Sequence, residues 1–388
     1  MKNKTKSKEK NNLITKRLII ASILIFIVIV VANYVTNEET RSYINRNILK
    51  KELVENSIKS IEINSEDNIK IYSYSKYISI LSKNKLKIYD SSTKNIKTLD
   101  IEISKPIVAS EEEYLVIAES EGKSIYLVKD TNIVWKNEIE GNISKINVNE
   151  NGYVSAIVTN NTYKSIIYVY NSEGTQLFKK YLSSTLAIST DISTDNKYLA
   201  FGKVDYSGIS VKSGIEIISV ELAIKDPQNS TQKEYTAEDG KILIDIRYTN
   251  KNSITAMYDD NIIRYNGDEE KEIFKIKNEN IFVDINAKNK IVSFVKESSG
   301  LFSFEYKVTM KDIEDEKESI YVLNTSIPKK VITNKDIIGM NFGTEVKIIN
   351  TNGWLIKEYK SSKQIKDLVL GTNIAGIVYK DKIEIINF

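Results

Sequence analysis

The sequence predicts an all-β protein: a β-propeller of eight blades, preceded by one N-terminal transmembrane helix. Three observations carry that expectation. An uncharged run, Leu18 to Asn37, follows a strongly basic N-terminus. From about residue 58 the hydropathy alternates with a period of two in short segments, broken by Asn, Asp, Ser, Gly and Lys turns. Those segments recur as a unit at intervals of roughly 35 to 55 residues, the spacing of propeller blades.

Residues 1–17 form a basic tail, with Lys2, Lys4, Lys6, Lys8, Lys10, Lys16 and Arg17 against Glu9. That excess is larger than the net charge of +3 carried by the whole chain, so everything after it is net negative. At about 1.5 Å per residue, residues 18–37 reach roughly 30 Å, the thickness of a bilayer core. Tyr34 falls where an interfacial aromatic would sit. The flank that follows (Glu38, Glu39, Arg41, Arg46, Lys50) is nearly balanced. The positive-inside rule then puts the tail in the cytoplasm and everything past residue 38 outside, a single-pass cell-membrane protein touching the lipid bilayer through 18–37. The alternative is a cleaved signal peptide, with Val30 and Ala32 as the small-residue pair. The length of the apolar run favours an anchor. Residues 38–57 read as a stalk or linker, in which Thr40 would cap a short helix bearing Ile44 and Ile48.

Residues 58–388 are the expected extracytoplasmic propeller. The segment IKDLVLG–TNIAGIVY–KDKIEIINF (365–388) matches IKIYSYS–KYISILS–KNKLKIYD (69–90), three strands joined by similar turns. Further copies start near Pro106, Ile143, Ala187, Ile242, Ile281 and Lys330. Most add a fourth strand. Three of these share a polar turn and an aromatic: Trp135, Phe178 and Trp354, read as cover between neighbouring sheets. The last copy has three strands, and SIKSIEIN (57–64) is a lone strand ahead of the first. A propeller must close to hide its sheet edges, so the lone N-terminal strand is expected to complete the last blade. That gives eight blades, with seven as the alternative if one divergent copy is an insertion.

Composition excludes much chemistry. There is no Cys and no His, hence no disulfide, thiolate nucleophile, zinc-thiolate site, Ser-His-Asp triad or histidine switch. Arg, the residue of bidentate phosphate recognition, is scarce beside Lys, and the body is net negative; no nucleic-acid partner is expected. No cofactor and no catalytic residue is assigned.

ISTDNKYLAFG (192–202) resembles the S-P-D-G-K-Y-L-A turn of WD40-like and TolB-like propellers, with Thr194 and Asn196 at the usual Pro and Gly. The turns before Trp135 and Trp354 resemble the G-x-x-x-W element of quinoprotein-like repeats. The layout of basic tail, single anchor and external propeller in a Lys-, Ile- and Asn-rich chain resembles a family of clostridial and related Firmicute membrane proteins of unknown function. The resemblance implies fold and location and supplies no activity. The cofactor residues of quinoproteins have no counterpart here.

Asp191, Asp245, Asp284 and Asp367 recur on the first strands of their copies, and first strands line a propeller's channel. The preferred reading is that each carboxylate satisfies nearby backbone N–H groups; the alternative is a ring of oxygen ligands for a hard cation. NVNENG (147–152) has calcium-loop spacing but Asn at each spaced position and Val158 at the twelfth, and reads as a turn. Segments 203–213 and 224–240 read as enlarged loops, and 311–319 as a charged hairpin tip. Rigid scaffolds concentrate binding residues in such loops. The partner-binding candidates are Tyr163, Lys203, Asp205 and Tyr206, on the face of the loops between second and third strands.

The function expected is therefore a membrane-anchored binding or scaffold module at the bacterial cell envelope, with an envelope or membrane protein as partner. The alternative is a carboxylate-based hydrolase or lyase acting on envelope glycan, with Asp245 and Asp284 as first candidates, since two carboxylates suffice for such chemistry.

Overall fold

A computed structural model of the chain describes residues 22, 27–35, 59–64, 69–82, 84–299, 303–323 and 327–388. The chain divides into two units, 1–58 and 59–388. The expected tail (1–17) and stalk (38–57) lie outside the described residues, as does part of the expected span. Within that span Ser22 and residues 27–35 are helical, and Ile27, Val28, Ile29, Val31 and Val35 are exposed. Among the described residues no helix is long and apolar enough to cross a membrane.

The second unit is built of eight four-stranded antiparallel sheets. Their inner strands are Lys70–Tyr74, Pro106–Glu111, Asn142–Val148, Leu186–Ile192, Leu243–Tyr248, Asn280–Asp284, Lys330–Asn334 and Asp367–Gly371, for blades 1 to 8. Every copy marked in the sequence is a blade, so none is an insertion and the seven-blade alternative falls. Blade 8 takes its outer strand from the other end of the domain: Lys59–Glu62 pairs with Lys382–Asn387, with Lys59 opposite Ile385 and Ile61 opposite Ile383.

Alternation along each strand is what glues the ring. Successive side chains point to opposite faces of a sheet, so one strand feeds two interfaces. In the second strand of blade 2 (Tyr114–Glu119), Leu115 and Ile117 pack against blade 1, while Val116 and Ala118 pack against blade 3. In blade 1, Tyr77 and Leu81 face blade 2, and Ile78 and Ile80 face blade 8. The buried apolar residues fall into eight clusters, one at each interface between neighbouring blades. A strand buried on both faces reads as a continuous apolar run, as in Ser165–Tyr170, where all six residues are buried.

The turns are equally local. Asn149, Asn171 and Asn350 each accept backbone N–H bonds through Oδ1 from the residues two and four further on, at 2.8 to 3.2 Å. Each turn ends in a glycine of positive φ. NVNENG is such a turn, joining the first two strands of blade 3. At Gly174 (φ 84°) a Cβ would lie 2.5 Å from Trp135 Cγ, so the blade 3 turn closes onto the indole of blade 2. Trp135 and Phe178 are buried between blades as expected, whereas Trp354 is half exposed. The expected loop 224–240 is also corrected. Its first part belongs to a helix (Val220–Lys225) and a 3-10 turn (Pro227–Asn229), and Thr231–Thr236 is the outer strand of blade 4. Ser219 caps that helix, accepting from Leu222 N.

Candidate functional sites in the channel and on the loop face

The inner strands of blades 3 to 6 each carry a register shift near their start, at Ile143/Lys145, Ala187/Ser189, Leu243/Asp245 and Asn280/Phe282. Those of blades 7, 8, 1 and 2 are regular. A bulge re-aims the side chains that follow it, so the two halves of the channel present different chemistry.

All four candidate aspartates stand on inner strands. Asp191, in blade 4, is the deepest. Its Oδ1 accepts from Asn147 Nδ2 (2.9 Å) and Ile192 N (3.1 Å), and Oδ2 from Tyr248 N (2.6 Å). Burial pushes this carboxyl up to about 6, against the opposing pull of the Arg247 guanidinium and the Tyr248 N–H. Asp245 pairs with Lys145 at 3.0 Å and accepts from Ser189 Oγ. Asp284 accepts from Asn286 N and Nδ2 at 2.8 and 2.7 Å and from Thr333 Oγ1. Asp367 pairs with Lys330 at 2.6 Å. Each aspartate is thus held by its own neighbours, and among the described residues no three His, Cys, Asp or Glu gather in a way that could hold a metal. Asp245 and Asp284 each have a carboxylate oxygen engaged by a cation or by hydrogen-bond donors.

Besides Lys145–Asp245, which joins blades 3 and 5, two further ion pairs that the sequence did not suggest cross the channel. Glu111 of blade 2 meets Arg247 of blade 5 at 2.9 Å, and Arg247 also donates to Asn286 Oδ1 of blade 6 at 3.2 Å. Glu112, next in the chain, meets Lys335 of blade 7. Both bonds link blades that are not neighbours. They divide the channel into two chambers. One, of about 260 Å³, opens at the end of the loops between first and second strands and is lined by polar groups of blades 3 to 6, Asp191 and Asp245 among them. The other, of about 1090 Å³, lies against blades 6, 7, 8, 1 and 2. One signal of this crossing was visible: Arg247 is one of five arginines in the chain and sits on an inner strand.

The four loop-face candidates divide. Tyr163 and Tyr206 come together with Lys164 and Tyr181: the Tyr163 and Tyr181 rings are 4.7 Å apart, and Lys164 Nζ lies 4.3 Å over the Tyr206 ring. Tyr206 is half exposed, and Ile209 in the same loop is fully exposed. Asp205 anchors this loop by accepting from Ser207 N (2.9 Å) and Oγ (2.7 Å), bonds that hold its carboxyl below the usual range. Lys203 lies apart. It pairs with Glu216 at 2.9 Å and Glu234 at 3.3 Å across blade 4. Burial alone would lower this ammonium, but the two carboxylates raise it. Glu216 also holds the buried Lys180 at 3.1 Å, so Lys203 belongs to an internal charge network.

A closed eight-bladed propeller with a divided channel and one exposed aromatic loop cluster is thus the class of protein that the chain defines. It belongs to DUF5711, a family of unknown function, which it matches over residues 50–388. No curated protein matches the sequence. Among solved structures it is similar to BamB from Moraxella catarrhalis, at 10% identity over 85% of this chain and 99% of that one (TM-score 0.49). It is also similar to apo AztD from Citrobacter koseri, at 11% identity over 80% and 88% (TM-score 0.44). The Cps50 (Swd1) propeller of Myceliophteria thermophila is similar at 9% identity over 85% and 100% (TM-score 0.43). At such identities no ligand or partner carries over to this chain.

Proposed function

We propose that the protein is a non-catalytic binding or scaffold module, held at the bacterial cell envelope by an N-terminal membrane anchor with the propeller outside. Its partner is an envelope or membrane protein, docked on the loops between second and third strands of blades 3 and 4. The observation that carries this reading is the cluster of Tyr163, Tyr181, Tyr206 and Ile209 on a rigid frame. Tyr supplies a large contact area at low entropy cost, and an exposed isoleucine beside it has no role in the fold. The anchor rests on the uncharged run after a basic tail.

The test is cross-linking on intact cells, capture through a C-terminal tag and mass spectrometry, comparing the wild type with Tyr206→Ser and Ile209→Ser. One reproducible envelope or membrane protein, lost in both variants while thermal stability is kept, supports the proposal. Equal capture by the variants removes the loop face from it. Release of the intact chain from membranes by alkaline carbonate would remove the anchor.

A further inference from the structure

We propose that the larger chamber binds an anionic amphiphile, a single-chain molecule with one acidic head and an apolar body. The chamber has the volume for one, about 1090 Å³. Its walls are mixed: the partly exposed Ile71, Val108, Phe282 and Ile332 line it beside Glu111, Arg247, Asp284 and Asn334. Its rim is basic. Lys70 begins the inner strand of blade 1, Lys330 that of blade 7, Lys366 directly precedes that of blade 8, and Lys380 lies in the loop between the second and third strands of blade 8. By the alternation of strand direction, all four stand at the same end of the channel.

Charge decides the sign of the ligand. Lys330 is paired with Asp367, while Lys70, Lys366 and Lys380 have no carboxylate partner among the described residues. Against the carboxylates Glu111, Asp284 and Asp367, the lining carries Arg247, Lys335 and the four rim lysines, so the chamber's net charge is positive and attracts an anion. Apolar surface at that end extends beyond the chamber itself. Ile244 and Ile281, the extra residues at the bulges of blades 5 and 6, are both nearly half exposed there. Basic groups on blades 7, 8 and 1 and exposed isoleucines on blades 5 and 6 thus share one end of the channel, as the head and body of such a molecule require. The Glu111–Arg247 crossing limits how deep the body can reach. This site is separate from the loop cluster of blades 3 and 4, and the two proposals stand or fall independently.

The test uses the purified full chain and octanoate bearing a diazirine near its methyl end. After irradiation, peptide mapping should find the label on segments containing Ile71, Val108 or Ile332. Octanoate should compete, and octyltrimethylammonium should not. In K70Q/K366Q/K380Q, whose changed side chains are all solvent-exposed, labelling should fall at least tenfold with an unchanged thermal midpoint. Label scattered along the chain, equal competition by the cation, or wild-type labelling of the triple variant would each overturn the proposal.

Discussion

Ile61 is the one buried side chain of the strand that closes the ring, 7% exposed in a burial pattern otherwise open to solvent. It packs into a cluster with Ile78 and Ile80 of blade 1 and Ile374, Ile383 and Ile385 of blade 8. Ile61→Ala removes three carbons. The transfer term is about 2.4 kcal/mol at roughly 0.8 kcal/mol per carbon, and an incompletely collapsed cavity adds about 1 kcal/mol. The cost has a ceiling, because a four-residue strand can detach instead of tolerating a hole. Ile61→Ala should therefore destabilise the propeller by about 3 kcal/mol, or by the docking free energy of the strand if that is smaller. Ile61→Val should cost about 1 kcal/mol, and Lys59→Ala, at an exposed position, under about 0.5 kcal/mol. The assay is urea unfolding of the full chain followed by circular dichroism, with hydrogen exchange of the Lys382–Asn387 amides as a local readout. Exchange should quicken there first. A loss below about 0.5 kcal/mol for Ile61→Ala, with unchanged exchange in that strand, would refute the closure.

Three further outcomes are expected. The raised Asp191 carboxyl contributes stability that is complete below its unfolded value of 3.8 and is lost as pH rises through about 6. The stability difference between Asp191→Asn and wild type should shift by about 3 kcal/mol in favour of the variant between pH 3.5 and 7, at 1.36 kcal/mol per pH unit, and a flat difference would exclude the shift. Gly174→Ala forces a left-handed alanine against Trp135 and should cost at least about 2 kcal/mol, read as a lower urea midpoint. Arg247→Met and Glu111→Gln should be coupled by about 1 kcal/mol in a double-mutant cycle, and Arg247→Met alone should raise the Asp191 titration further, as followed by carboxyl NMR.

Most of the blade architecture was written locally and could be read locally. Copy starts at Pro106, Ile143, Ala187, Ile242, Ile281 and Lys330 fall on inner strands or within one residue of them, because each blade encodes its own alternation and its own polar turns. Closure was legible for the same reason: a lone strand at one end matched a missing one at the other. The sequence lost the thread where placement depends on the ring. Lys203 looks like a loop residue until Glu216 and Glu234 are set beside it on neighbouring strands. The bulges at Ile244 and Ile281 shift the register by a single residue, which leaves the hydropathy pattern nearly unchanged. Trp354 shares its turn chemistry with Trp135 but stays half exposed. The Glu111–Arg247 bond joins residues 136 apart in sequence, on blades that only ring closure brings face to face.

The swap of one strand between the two ends of the domain sets a timetable for biosynthesis. Residues 59–62 leave the ribosome before any other strand of the propeller, and their partner, Lys382–Asn387, is the last strand to emerge. Blades 1 to 7 are each contiguous in the chain and can hairpin as they appear. Until the final strand arrives, the apolar faces of blades 1 and 8 have nothing to cover them, and Lys59–Glu62 is an orphan edge. The nascent chain must therefore be sheltered for the whole of its elongation, and a truncation that spares seven intact blades still yields an open arc with two sticky ends. Quality control that surveys those two faces would recognise an unfinished chain without reading any other part of it.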